Sequence, residues 1–284
     1  MSCKDVKKYS VQPYLPEQNK KDSKRNTAQN EDDTEHTAPI IHIGSLLEDY
    51  ALVIPKGNAH CSDQVILRKS YICSYNSSKR CANWSSWHLT KDHADGPYKR
   101  KQLHIQGGYF EDGNNLVNRQ LLSDWTDVEG YDHGHLCPSG DNKWDLNAMK
   151  QTFFLSNICV QNSQLNQGPW ERLESTCREW AKKYGELYII CGPIFDQSSN
   201  DSIGNNLHVP KAFFKVIYRP NPEPLGIAFV YDNTSPSIDD KLEMHAKSID
   251  EVEGITGYDF FWSLPDSIEC VIESDSEIKK WRLY

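Results

Sequence analysis

Six short runs rich in β-branched and aromatic residues set the strongest limit on the fold: Val65 to Tyr75, Trp84 to Leu89, Phe153 to Val160, Leu187 to Ile194, Phe213 to Tyr218 and Leu225 to Tyr231. Residues of this kind fit a pleated, half-buried surface, so the runs predict a central sheet. Helical signals interrupt them without alternating. Pro169 to Tyr184 carries proline at a first turn and Gly185 as its stop, and Ser248 with Glu251 three residues later forms a capping-box pattern. Strict alternation would point to a doubly wound parallel sheet; its absence points to an α+β fold.

The chain of 284 residues is 38% hydrophobic and holds eight Trp, enough apolar area for one sizeable core. Residues 1–45 are rich in Lys, Asp, Glu, Asn, Gln and Thr and cannot offset their ordering entropy by burial, so they are expected to be a polar leader or tether to a domain over 46–284. Cys3 ahead of such a tether resembles the start of a lipid-anchored protein. No run of 18 apolar residues or signal-peptide core occurs, so no membrane span is expected, and an exported chain would already have lost its signal.

The net charge is −9, and the first 40 residues balance seven Lys and Arg against seven Asp and Glu, so the whole excess lies in the folded part. Any polyanion must then be met by a local basic patch. The nine cysteines include no CxxC pair, which leaves no zinc-ribbon reading. Cys61, Cys73 and Cys81 cluster in a Ser- and Asn-rich segment, where one disulfide or isolated thiols are both compatible with the pattern. A disulfide there would place the protein in an oxidising compartment.

Chemistry concentrates in two places. The first is Tyr131-Asp132-His133-Gly134-His135-Leu136-Cys137-Pro138, where a histidine can take a proton near neutral pH. The second is the predicted helix, where Trp170, Glu174 and Arg178 recur every four residues and Asn166 extends the interval backwards. Asn166 falls just before the helix, near free N–H groups. Taken alone, these positions read more simply as an Asn cap and a Glu174–Arg178 surface ion pair. Taken with a histidine base, an amide oxygen and a carboxylate are hard ligands suited to Mg²⁺, which neutralises phosphate charge.

Asp132-His133-Gly134-His135 resembles the Asp-Arg-Gly-His hallmark of the DNA/RNA non-specific endonucleases of the ββα-metal (His-Me finger) class. The likeness continues through Leu155-Ser156-Asn157-Ile158, Gln161 and Leu165 to Glu174, then Gly192 to Phe195 and Val209 to Val216, covering roughly residues 65–262. It implies a mainly antiparallel central sheet flanked by helices, with a ββα-metal active-site motif. It further implies Mg²⁺-dependent hydrolysis of DNA and RNA leaving 5′-phosphate ends, with Mn²⁺ able to substitute, and a secreted or extracytoplasmic location. By the same resemblance, His135 is the general base and Asn166 the direct metal ligand. Glu174 orients the ion's waters, Asn157 positions His135 or its loop, and Arg178 stabilises the transition state or contacts phosphate. Arg100, in Tyr98-Lys99-Arg100-Lys101, stands where the family often has a phosphate-binding arginine.

The departure is His133, where the family usually has Arg. Histidine lacks the permanent charge and fork of a guanidinium, so substrate contact is the function placed in question. His133 is expected either to be a pH-sensitive phosphate contact or to hydrogen-bond within the hairpin, and Asp132 to brace the loop. A His135–Cys137 thiol nucleophile is a weaker pattern, because two residues on one face of a strand do not ensure geometry. His93, His104, His208 and His245 are scattered, and Cys159, Cys177 and Cys191 sit in apolar contexts suited to packing. The rival expectation is a nuclease-fold nucleic-acid-binding protein with impaired catalysis.

Overall fold

The computed structural model describes residues 40–41, 52–57, 63–103, 108–196, 198 and 201–281. Among these residues twelve strands run in chain order: β1 (Ile40–Ile41), β2 (Asp63–Leu67), β3 (Ile72–Asn76), β4 (Cys81–Thr90), β5 (Tyr131–His135), β6 (Ile158–Asn162), β7 (Glu186–Ile194), β8 (Ser202–Ile203), β9 (Leu207–His208), β10 (Ala212–Arg219), β11 (Leu225–Asp232) and β12 (Ala246–Lys247). Eight of them form one sheet in the order β1-β2-β3-β4-β7-β10-β11-β12, and every neighbouring pair is antiparallel. The fold is α+β with a central antiparallel sheet, as the sequence predicts.

Helices cover both sheet faces. They are α1 (Lys91–Ala94), α2 (Leu146–Gln151), α3 (Ser163–Leu165), α4 (Glu171–Tyr184), α5 (Ile249–Thr256) and α6 (Asp266–Glu273). Side chains alternate along a strand, so Phe213, Ile217 and Ile189 point to one layer while Phe214, Val216 and Ile190 point to the other. The first layer is closed by Leu173, Cys177, Trp180 and Ala181 of α4, the second by Ile249 and Val252 of α5 and Ile272 of α6. The capping box at Ser248 forms as predicted: its hydroxyl accepts from Glu251 N at 3.1 Å and its own N–H donates to the Glu251 carboxylate at 2.8 Å. Gly185 ends α4 with φ of +97°, donating its N–H to the Ala181 carbonyl.

Three local expectations change. Val65 to Tyr75 is a hairpin of β2 and β3, closed where Arg68 N–H donates to the Tyr71 carbonyl at 2.8 Å. Within Phe153 to Val160 only the last residues are strand; Leu155–Asn157 is a buried 3₁₀ turn leading into β6. The main helix begins at Glu171, and Asn166–Trp170 forms a wide turn kinked at Gly168 before it. Asn166 therefore lies off the straight four-residue ladder.

The register also excludes a Cys73–Cys81 disulfide. Cys73 lies opposite Ser85 and Cys81 opposite Asn76, three strand positions apart, or about 10 Å, beyond disulfide reach. Cys61, Cys3 and His104 lie outside the described residues. So does most of the expected leader, from which β1 joins the sheet edge. No helix among the described residues is long and apolar enough to cross a membrane.

Candidate active site

β5 and β6 form a separate two-stranded sheet, with His135 opposite Ile158 and Asp132 opposite Gln161. The strand pleat puts His133 and His135 on one face and Asp132 and Gly134 on the other. On the first face the His135 ring stands edge-on to Phe153, centroids 4.8 Å apart, and tilted against Tyr109 at 5.8 Å. The Arg100 guanidinium lies over the same two rings, 4.8 Å from Phe153 and 6.0 Å from Tyr109. A shared aromatic floor thus brings Arg100 beside His135, although 35 residues separate them in the chain.

His135 Nε2 is buried and has no hydrogen-bond partner among the described residues. With the ring's proton on Nδ1, Nε2 keeps its lone pair. Burial first, then the Arg100 and His133 charges, push the imidazole down to about 3. His135 is neutral at pH 7, the form a general base requires.

His133 is sandwiched between rings, 4.2 Å from Tyr109 at 13° and 3.8 Å from Trp125 at 18°. Burial pushes it down to about 4, with Asp132 opposing and Arg100 reinforcing the shift. At pH 7 it carries no charge for a phosphate. In this stack a planar imidazole fills the slot between two planar rings.

The opposite face belongs to Asp132. One carboxylate oxygen accepts from Ser163 Oγ at 2.8 Å; the other accepts from Asn166 Nδ2 and Gln167 Nε2, each at 2.8 Å. Burial alone would raise this carboxyl, and the hydrogen bonds from Asn166, Gln167 and Ser163 outweigh it and hold it below its usual range. A carboxylate can only accept, so the Asn166 amide must turn Nδ2 towards it and leave Oδ1 aimed elsewhere. No described residue hydrogen-bonds that oxygen. Asp132 braces, as the sequence suggests, and what it braces is the amide of Asn166.

Gly134 is required on this face, since a Cβ there would stand 2.4 Å from Gln161 Oε1 and 2.5 Å from Gln161 Cβ. Gln161 is 1% exposed, and neither Oε1 nor Nε2 has a partner among the described residues. A buried amide without partners is costly, so it points to a group that the protein atoms alone do not supply.

Asn157 acts on the strand end. Its Oδ1 accepts from Cys137 N and Ser85 Oγ at 3.0 Å each, and its Nδ2 donates to the carbonyls of Cys137 and Thr152 at 2.9 Å each. The side chain thus ties the chain just after His135 to β4. Cys137 is fully buried with its thiol pushed up by burial, which removes the thiol-nucleophile reading.

On α4, Arg178 pairs with Asp141 at 3.0 Å and Ser175 Oγ at 2.8 Å, so its ion-pair partner is Asp141 and not Glu174. Asp141 also accepts from Trp87 Nε1 at 3.1 Å. Glu174 receives no hydrogen bond among the described residues. Burial raises it to about 7, with Lys215 opposing, Asp141 reinforcing and Arg178 opposing. Lys215 is itself buried in β10, its ammonium 4.7 Å from the Trp170 ring and 5.5 Å from Trp87. The other described histidines have ordinary partners: His88 pairs with Glu186 at 2.8 Å, His93 stacks on Trp144, His245 pairs with Asp240 at 2.8 Å and His208 lies edge-on to Phe195.

The model of the DNA/RNA non-specific endonuclease family matches residues 51–267, most of the chain. The chain belongs to this family. It is 29% identical over 230 residues to a nuclease of Nostoc sp., covering 74% of this chain and 77% of the relative. To mouse mitochondrial nuclease EXOG it is 31% identical over 208 residues, covering 68% of this chain but 55% of the longer relative. Among solved structures, a chain of the EndoG/EndoGI complex shares the fold with a TM-score of 0.63 at 23% identity, covering 75% of this chain and 91% of that one.

In this nuclease, then, one strand carries a neutral histidine on one face and a carboxylate that aims an amide oxygen on the other. Sequence reasoning assigned no role to Gln161, Lys215, Asp141 or Tyr109. A lysine in the apolar alternation of Ala212–Arg219 was a visible signal for Lys215. Asp141 and Tyr109 carried none, because their importance arises from partners far away in the chain.

Proposed function

We propose that the protein is a divalent-cation-dependent endonuclease that hydrolyses phosphodiester bonds in both DNA and RNA and leaves 5′-phosphate ends. The observation that carries the reading is the division of labour across β5: His135 presents an unpaired Nε2 while Asp132 turns the Asn166 Oδ1 free. The donor set fits a hard cation, since Asn166 Oδ1 and the Glu174 carboxylate are oxygens without hydrogen-bond partners among the described residues. Mg²⁺ is the proposed ion, with Mn²⁺ able to replace it. When bound, the cation supplies Lewis-acid neutralisation of charge on the phosphate and leaving oxygen.

The chain's own residues do the rest. His135 Nε2 accepts the proton of the attacking water, with the ring's own proton on Nδ1. Asn166 is the proposed direct ligand and Glu174 the group holding the ion's hydration. Arg100 supplies the charged phosphate contact beside the base; His133, neutral, offers a ring that lines the same pocket. Arg178, bound to Asp141, completes the positive side of the helix face near Glu174. Base selectivity is expected to be low, because phosphate contacts carry no sequence information. A location outside the cytosol remains part of the proposal.

Plasmid nicking tests the reading directly. Wild-type protein should nick supercoiled plasmid and cleave RNA with Mg²⁺ and stop when the ion is chelated. His135→Ala should lose roughly 10²–10⁴-fold in rate with unchanged thermal stability. DNA binding without nicking at any divalent-ion concentration would sink the enzyme reading in favour of a binding protein.

A further inference from the structure

Two thiols from different sheets meet in the core. Cys81 opens β4 in the central sheet, Cys159 lies in β6 opposite Gly134, and no strand pairing joins the two sheets. Their Sγ atoms are 2.7 Å apart, within about 0.7 Å of a disulfide bond length and closer than unbonded sulfurs rest. Both side chains are buried, Cys81 at 3% and Cys159 at 1% exposure. Both stand as free thiols in the structure. No cluster of metal-ligating groups among the described residues includes either one, so a metal does not account for the approach.

We propose that Cys81 and Cys159 close an intrachain disulfide that staples the His135-bearing strand pair to the central sheet. The oxidant is a small or protein disulfide, such as glutathione disulfide. One cysteine, as thiolate, attacks it, forming a mixed disulfide and releasing one thiol; the second cysteine displaces the other sulfur as a second thiol. The two cysteines lose two protons and two electrons, their S–H bonds give way to one S–S bond, and the oxidant is reduced to two thiols. Burial pushes the Cys159 thiol well above its ordinary value, which suppresses attack in the finished fold. The bond therefore forms while the chain folds, and once enclosed it resists reductants in solution. The two residues are 78 apart in sequence and enclose all of β5, so the link constrains a long loop of the unfolded chain.

The full chain, refolded in a buffer of oxidised and reduced glutathione and alkylated in denaturant without prior reduction, provides the test. Peptide mass spectrometry should find the Cys81 and Cys159 peptides joined, two hydrogens lighter than their sum. Reduction before refolding should lower the melting temperature by roughly 5–10 °C. The double variant Cys81→Ala/Cys159→Ala should melt at one temperature with or without reductant. Alkyl groups on both wild-type cysteines, or bonds from them to other cysteines, would overturn the proposal. So would a reductant-sensitive melt that survives in the double variant. The mass measurement on the wild-type chain decides even if the variant does not fold, and none of these outcomes depends on nuclease activity.

Discussion

At the scale of single residues, two titrating groups divide the pH dependence of this site. Burial and its cationic neighbours hold His135 down to about 3, so it is already deprotonated through the whole neutral range. Burial raises Glu174 to about 7, and its ionised form is the one that attracts a cation. Rate should therefore rise with pH through about 7 as Glu174 loses its proton, and a bound cation, which favours the ionised carboxylate, should pull that midpoint downward. Measuring kcat/KM against pH at several Mg²⁺ concentrations checks this. A midpoint that stays fixed as Mg²⁺ rises would assign the limb to another group. Glu174→Gln should abolish the limb along with most of the activity. The roles proposed for His135, Asn166 and Glu174 start from the sequence, because each sits in a short motif. The sandwich that neutralises His133 was not, since Tyr109 and Trp125 reach it through tertiary packing.

At the scale of elements, the site depends on how β5, β6 and α4 are fixed to the sheet, and Asn157 is the clearest joint. Asn157→Ala would strand buried groups of Cys137, Ser85 and Thr152 that the amide now satisfies. The expected cost is about 3 kcal/mol, or a fall of roughly 5–10 °C in melting temperature. Activity should fall further than folding does, because the strand end after His135 loses its anchor. A variant as stable as wild type, by urea titration, would show that Asn157 is no structural joint. The elements themselves were legible where propensity and period agree, as in Glu186–Ile194 and the helix ended by Gly185. They were misread where side-chain hydrogen bonds override propensity. Leu155–Asn157 is β-rich in context yet folds as a turn that the Asn157 network holds in place. The wide turn at Asn166 likewise answers to Asp132, 34 residues earlier, and local spacing cannot encode that.

At the scale of the molecule, the negative surface limits how nucleic acid is held. With a net charge of −9, binding is expected to rest on a few local contacts at the site, of which Arg100 is the best placed. Arginines that pair internally away from the site are spent elsewhere: Arg68 on Asp112 and Arg80 on Asp124. Counterion release then fixes the salt dependence. With about two phosphates neutralised, raising salt from roughly 50 to 200 mM should weaken DNA binding about tenfold, against about 10³–10⁵ for proteins making six to ten such contacts. Fluorescence anisotropy with a short duplex, using His135→Ala in Ca²⁺ to prevent cleavage, measures the slope. A loss of a thousandfold would mean that basic segments beyond the site track the backbone. Arg100→Ala should flatten the slope by about one phosphate contact while lowering affinity for all sequences alike, and an unchanged slope would remove Arg100 from the interface.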